Sequence, residues 1–226
     1  MSEAIELSQD PAFIDKQLAH FQARIAELKV ITDAQATEAL DGAREERAAA
    51  LVKQSNLPAR ALMVLATLQP EPPQGWVAAR DVLRAQKSGT VLVIGPKGTG
   101  KTVLATDMAL SRINDLVRVH YTPLLKLMLR FEAARQDGSR ETRHDVLTEL
   151  AGVGLLIIDE MDKGFDTDAE KRTIFGLLDE RHNALRPTLL ISHPPYVSFS
   201  QWAGPELVDR INETGGRIKC NWPGMR

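Results

Sequence analysis

From residue 76 onward, short apolar, β-rich runs alternate with longer stretches of helical period. The runs at 90–94, 116–121, 153–158, 188–191 and 216–220 read as strands. The intervening segments at 76–86, 102–113, 123–135, 141–150, 168–184 and 206–212 place apolar residues at helical spacing, as in Leu124, Leu127, Met128 and Phe131. The strands are apolar along their length rather than alternating, which predicts burial on both faces. Alternating β and α elements of this kind predict an α/β fold, a five-stranded parallel sheet with helices on both faces.

The pattern before residue 76 differs. Asp10-Pro11 is a capping residue followed by proline, a favourable helix start. Ile14, Leu18, Phe21, Ile25 and Leu28 then step by four and three, an a/d seam over two heptads. After a break at 30–33, a second helix is expected over about 34–55. It is alanine-rich and strongly charged, with Arg44-Glu45-Glu46-Arg47 at its middle. So narrow an apolar stripe buries little area on its own, which favours a partner-binding helical domain over a free-standing hairpin. The stretch 69–75 carries Pro70, Pro72 and Pro73 and is expected to be extended linker. The expected organisation is a helical domain at 1–68, a linker at 69–75 and the α/β domain at 76–226.

Charged residues make up 26% of the chain and the net charge is −2, so no global basic field marks a nucleic-acid binder; a local patch remains open. The one cysteine, Cys220, excludes an internal disulfide and a cysteine-based zinc site, as expected for a cytoplasmic protein. Residues 1–10 are acidic and carry no leader-like apolar core. The apolar runs are too short to span a bilayer, so no membrane role is expected.

The chemistry is concentrated between the first strand and the helix that follows it. Gly95-Pro96-Lys97-Gly98-Thr99-Gly100-Lys101-Thr102 fits G-x-x-x-x-G-K-[ST], the phosphate-binding loop. A phosphate chain there sits against backbone N–H groups at a helix N-terminus, where the dipole favours negative charge. Gly95, Gly98 and Gly100 allow close approach. Lys101 is expected to reach the β- and γ-phosphates, Thr102 to ligate Mg²⁺, and the loop through Val103 to hold ATP.

The third strand ends in Asp159-Glu160, at the sheet edge where open α/β sheets bind ligands. Asp159 is expected to hold Mg²⁺, directly or through water, and Glu160 to polarise the attacking water. Ser192 and His193 close the fourth strand, and His193 is the first candidate for a side chain that senses the γ-phosphate. The alternative is that both only close a turn before Pro194-Pro195. Arg210, on a short helix after that strand, has the planar, permanently charged group suited to transition-state phosphate charge. It could serve a neighbouring subunit's ATP, or form an ordinary salt bridge to Asp209 or Glu206.

The phosphate loop, Leu155–Glu160, Arg210 within Glu-Leu-Val-Asp-Arg, and the closing Asn221-Trp222-Pro223-Gly224-Met225-Arg226 together resemble the DnaC/IstB group of AAA+ ATPases, most nearly the replicative helicase loaders. The resemblance covers about 76–226. It implies an AAA+ P-loop core without a C-terminal helical lid, Arg226 as a second sensor toward ATP in its own subunit, and Arg210 as the finger acting across a self-association interface. It also implies that the N-terminal helices grip a hexameric replicative helicase and that the ATPase domain touches single-stranded DNA. Arg130, Arg135, Arg140 and Arg143 with Phe131 form a candidate basic groove with an aromatic platform. Glu132, Asp137, Glu141 and Asp145 intersperse them, so a solvated charged face fits equally. The loaders usually carry Asn or Thr where this chain has His193. The expected function is ATP-dependent loading of a replicative helicase during replication initiation. The alternatives are a transposition helper of the IstB type, a small-molecule kinase, and an ATP-binding adaptor that does not hydrolyse.

Overall fold

The computed structural model describes residues 40–68, 72–163, 167–193 and 195–224. The heptad seam at 14–28, residues 69–71 of the expected linker and Met225-Arg226 lie outside these residues. The chain divides into two units at 47/48, and of the first only residues 40–47 are described. Residues 40–54 are helical (α1).

In the second unit a turn leads from α1 into α2 (Ala59–Ala66), and α3 (Gln74–Ala85) precedes the sheet. Then follow β1 (Thr90–Ile94), α4 (Lys101–Asn114), β2 (Val119–Pro123), α5 (Leu124–Ala133), α6 (Arg143–Gly152), β3 (Leu155–Asp159) and a short 3₁₀ turn at Met161–Lys163. The chain continues through α7 (Asp168–Asn183), β4 (Thr188–Ser192), α8 (Tyr196–Thr214) and β5 (Arg217–Lys219). The five strands form one sheet in the order β2-β3-β4-β1-β5, every pair parallel. This is the expected α/β fold.

Successive strand residues point to opposite faces, and each face has its own core. Leu92, Ile94, Leu156, Ile158 and Leu190 pack with α5, α6, α7 and α8 on one side. Val91, Val93, Leu155, Ile157, Leu189 and Ile191 pack with α3 and α4 on the other, joined by Leu51, Val52, Leu57 and Leu65 from α1, α2 and the turn between them. The segment 48–68 therefore lies against the α4 side of the sheet. It also closes the sheet's edge: the Tyr121 N–H on β2 donates to the Ser55 carbonyl at 2.8 Å.

Three elements differ from the sequence pattern. β2 begins three residues later than expected, because Leu116 takes a left-handed backbone (φ 60) and the N–H groups of Leu116 and Val117 satisfy the last carbonyls of α4. The helix expected at 206–212 extends back to Tyr196, kinked at Gly204 (φ 72) before Pro205. Phe199, Ala203, Leu207 and Ile211 hold it down at four-residue spacing. Finally, α3 starts at Gln74, inside the expected linker, with Pro73 as its N-cap.

Candidate nucleotide-binding site

Parallel pairing places the C-terminal ends of β1, β3 and β4 side by side. Ile94 pairs with Ser192, and Asp159 ends β3 next to them. The phosphate loop leaves β1 there and enters α4 at Gly100, which takes a left-handed backbone (φ 80) and caps the helix with no side chain. Gly98 is left-handed too (φ 89). A β-carbon at Gly95 would sit 2.4 Å from the Cys220 carbonyl oxygen, so only glycine fits between loop and β5. The N–H groups at the start of α4 carry no side-chain cap, a geometry that suits an anion.

The structure brings Lys101, Thr102, Asp159 and Glu160 together at this edge of the sheet. Lys101, 4% exposed, turns its ammonium onto the carbonyls of Gly95 (2.6 Å) and Pro96 (2.7 Å). Burial lowers its pKa. The Thr102 hydroxyl donates to Asp159 Oδ2 at 2.8 Å. Tyr121 donates its phenol to the same oxygen at 2.7 Å, and the Glu160 N–H donates to Oδ1 at 2.7 Å. Burial first, then the Asp159 charge, pushes the Tyr121 phenol well above its usual pKa. Glu160 has a left-handed backbone (φ 57), and Lys163 holds its carboxylate at 2.5 Å. A cleft of about 430 Å³ opens over these groups, lined by Gly98, Lys101, Thr102, Asp159, Glu160 and His193, with Arg60 of α2 at its wall.

Thr102 and Asp159 fit Mg²⁺, which takes one or two protein oxygens and completes its shell with phosphates and waters. His193 reaches the cleft, but its Nδ1 and backbone N–H lie 3.0 and 3.3 Å from Asp162 Oδ1. Burial is the largest single influence on the Asp162 carboxyl and works to raise its pKa, but the His193 side chain and the backbone hydrogen bonds of Asp162 and His193 together outweigh it, so the carboxyl lies below its usual value. Ser192 is fully buried, and its hydroxyl has no partner among the described residues. Such an orphan at the mouth of β4 suits a bound water or phosphate oxygen. Cys220 is buried, and burial lifts its thiol to about 11, so it stays an unreactive apolar residue. The Trp222 indole donates to the Thr99 carbonyl at 2.8 Å and packs on Gly75, tying the phosphate loop to the start of α3.

Arg210 stands apart from the cleft and pairs with Asp179 on α7, rather than with Asp209 or Glu206. Arg226 lies outside the described residues. The aromatic platform expected on α5 is not there: Phe131 is 2% exposed and belongs to the core. Arg130 is tied to both Glu141 and Glu149, and Arg143 donates to Thr173 at 2.6 Å. The amphipathic period of α5 turns Phe131 inward with Leu127 and Met128.

Tyr121, Asp162 and Lys163 went unnoticed in the sequence. The available signal was the phenol itself, a polar group on an otherwise buried strand that must find a partner.

The model of the family described as "IstB-like ATP binding protein" matches residues 44–212. An uncharacterised Escherichia coli protein, YdaV, is 27% identical over 133 residues, 58% of this chain and 53% of that protein. The replicative helicase loader DnaC of Escherichia coli is 27% identical over 136 residues, 58% of this chain and 54% of the loader. A putative insertion-sequence ATP-binding protein of Sinorhizobium fredii is 29% identical over 126 residues, 56% and 40%. The matched region thus spans about half the length of these relatives, or less. Among solved structures, the DnaC helicase loader superposes with a TM-score of 0.60 at 16% identity, covering 72% of this chain and 99% of that one. AMPPCP-bound DnaA from Aquifex aeolicus superposes with a TM-score of 0.58 at 17% identity, covering 66% and 47%. These likenesses show that the chain shares its fold with the DnaC helicase loader and with DnaA.

Proposed function

Because the chain belongs to the family of IstB-like ATP-binding proteins, we propose that it is an Mg²⁺-dependent ATPase that loads a replicative helicase onto single-stranded DNA. The observation that carries the ATPase reading is the hydrogen bond from Thr102 of the phosphate loop to Asp159 at the end of β3, beside Lys101 held on the loop's own carbonyls.

On binding, Lys101 exchanges the carbonyls of Gly95 and Pro96 for phosphate oxygens, while the first N–H groups of α4 hold the β-phosphate. Thr102 and Asp159 are the residues that would hold Mg²⁺, which would supply positive charge against the phosphates. Glu160 orients a water and takes its proton as the water oxygen bonds to the γ-phosphorus. The bond from that phosphorus to the β–γ bridging oxygen breaks, giving ADP and phosphate. Lys163 sets the direction of the Glu160 carboxylate. His193, steadied by Asp162, and Ser192 face the γ-phosphate side. Arg210 leaves Asp179 to reach the ATP of a neighbouring subunit, and Arg226 serves its own. A site completed in trans turns over slowly until subunits stack.

The helicase and DNA parts of the proposal rest on likeness. The helicase loaders among the relatives and neighbours support the partner, and residues 1–68 are proposed as its binding segment, its part 48–68 packed against the ATPase core, with 69–75 as the connection and 76–226 as the rest of the ATPase domain. The insertion-sequence relative supports the second reading, a transposition helper built on the same ATPase.

Phosphate release by the full chain, with and without single-stranded DNA, tests the enzymatic reading. Glu160→Gln should bind ATP like the wild type and release phosphate at least a hundredfold more slowly, the order typical of losing a general base. Unaltered turnover would remove Glu160 from the mechanism. Capture of a hexameric helicase, but no transposase, by the full chain supports loading; the reverse result supports the transposition helper.

A further inference from the structure

Asp159 is more tightly engaged than a metal-binding carboxylate needs to be. An ionised carboxylate offers about four acceptor positions, two on each oxygen. Thr102 at 2.8 Å and Tyr121 at 2.7 Å both donate to Oδ2, and the Glu160 N–H donates to Oδ1 at 2.7 Å. Oδ2 is therefore full, and one position remains, on Oδ1. The phosphate-loop threonine and the β3 carboxylate were both expected. The phenol was not, and it comes from the neighbouring strand.

Tyr121 is built to hold that position. It lies opposite Ile157 in the β2–β3 register, and Asp159 follows Ile157 by two residues, on the same face of the sheet. Its ring is 8% exposed and packed in the core on the α4 side. Its backbone N–H is anchored outward on the Ser55 carbonyl at 2.8 Å. Ring and main chain are thus fixed from two sides, and among the described residues the hydroxyl donates to Asp159.

We propose that Tyr121 is a positioning residue for the metal-holding carboxylate: by occupying Oδ2 together with Thr102, it leaves Asp159 a single acceptor place, on Oδ1, for Mg²⁺ or a water bound to it. The inference rests on the nucleotide-site reading. It assigns Tyr121 no contact with nucleotide and no part in proton transfer. Without the phenol the carboxylate can rotate, and the geometry it offers the metal is no longer unique.

The test is Tyr121→Phe in the full chain, which keeps ring and packing. A fluorescent ATP analogue is titrated in EDTA and then across a Mg²⁺ series, with thermal unfolding measured alongside. Affinity in EDTA should match the wild type, because Lys101 and the loop N–H groups are untouched. The Mg²⁺ concentration giving half the metal-dependent gain in affinity should rise by on the order of tenfold, the lower end of the scale of one hydrogen bond to a charged acceptor. A Mg²⁺ series superposing on the wild type would overturn the role of Tyr121 while leaving the nucleotide site standing. Equal loss in EDTA and in Mg²⁺ would also overturn it, because the residue would then merely support the loop. A wild type that binds the analogue under neither condition would overturn the site assignment, and the role of Tyr121 with it.

Discussion

Replacing Arg181 by methionine should destabilise the protein without touching its nucleotide affinity. Arg181 is fully buried on α7 with no carboxylate paired to it among the described residues, and burial pulls its pKa down to about 9. Its guanidinium donates to the carbonyls of Leu150 (2.8 Å), Ala151 (3.3 Å), Val153 (2.8 Å) and Pro187 (2.6 Å) and to the Thr188 hydroxyl (2.9 Å). One side chain thereby ties the end of α6 and the approaches to β3 and β4 together. Methionine is apolar and of similar length, so it removes a costly buried charge but abandons the carbonyls. Arg186 still serves Ala151, and the Leu156 N–H still serves Pro187. Leu150 and Val153 lose their guanidinium donor. An unmet buried acceptor costs about 1–3 kcal/mol, and relief of the charge's desolvation offsets part of that. The net loss should be about 2–4 kcal/mol, a fall in Tm of roughly 4–16 °C for a chain of this size. Urea unfolding followed by circular dichroism measures it. Arg181→Lys should also lose stability, since one ammonium cannot reach acceptors arranged for a fork. A methionine variant within about 0.5 kcal/mol of the wild type would refute the argument, because that is the range of an ordinary surface substitution.

Arg210→Ala breaks the pair with Asp179; it should leave ATP binding intact and depress turnover stimulated by single-stranded DNA, and undiminished stimulation would exclude a trans role. His120, mostly buried, has its pKa lowered by burial, so it folds neutral. The unfolded chain then binds the extra proton first, and stability should fall as pH drops below about 6.5, by up to about 1.4 kcal/mol per pH unit. Urea unfolding at pH 7 and pH 5 should show a smaller pH effect in His120→Gln.

The sheet and its helices were legible because strands buried on both faces leave continuous apolar runs. The phosphate loop and Asp159 were legible because their chemistry demands particular residues at particular spacing. What escaped depends on contacts distant in sequence. Arg130 and Phe131 look like neighbours on a basic surface, yet one turns outward to Glu141 and Glu149 and the other inward to the core. Arg210 finds its acid on α7, 31 residues away, not on its own helix. Tyr121 meets Asp159 only through strand pairing. The first half of α8 hid behind Pro195 and Pro205, although Phe199, Ala203, Leu207 and Ile211 kept the helical period.

The account depends on a triphosphate replacing two loop carbonyls as the partner of Lys101. Calorimetric titration of the full chain with ATP and magnesium tests this most directly, run beside Lys101→Ala. Saturable one-site binding by the wild type, weakened at least a hundredfold in the variant, about 2.7 kcal/mol, is the predicted result. Heat of binding equal in the two proteins, or absent from the wild type, would contradict it.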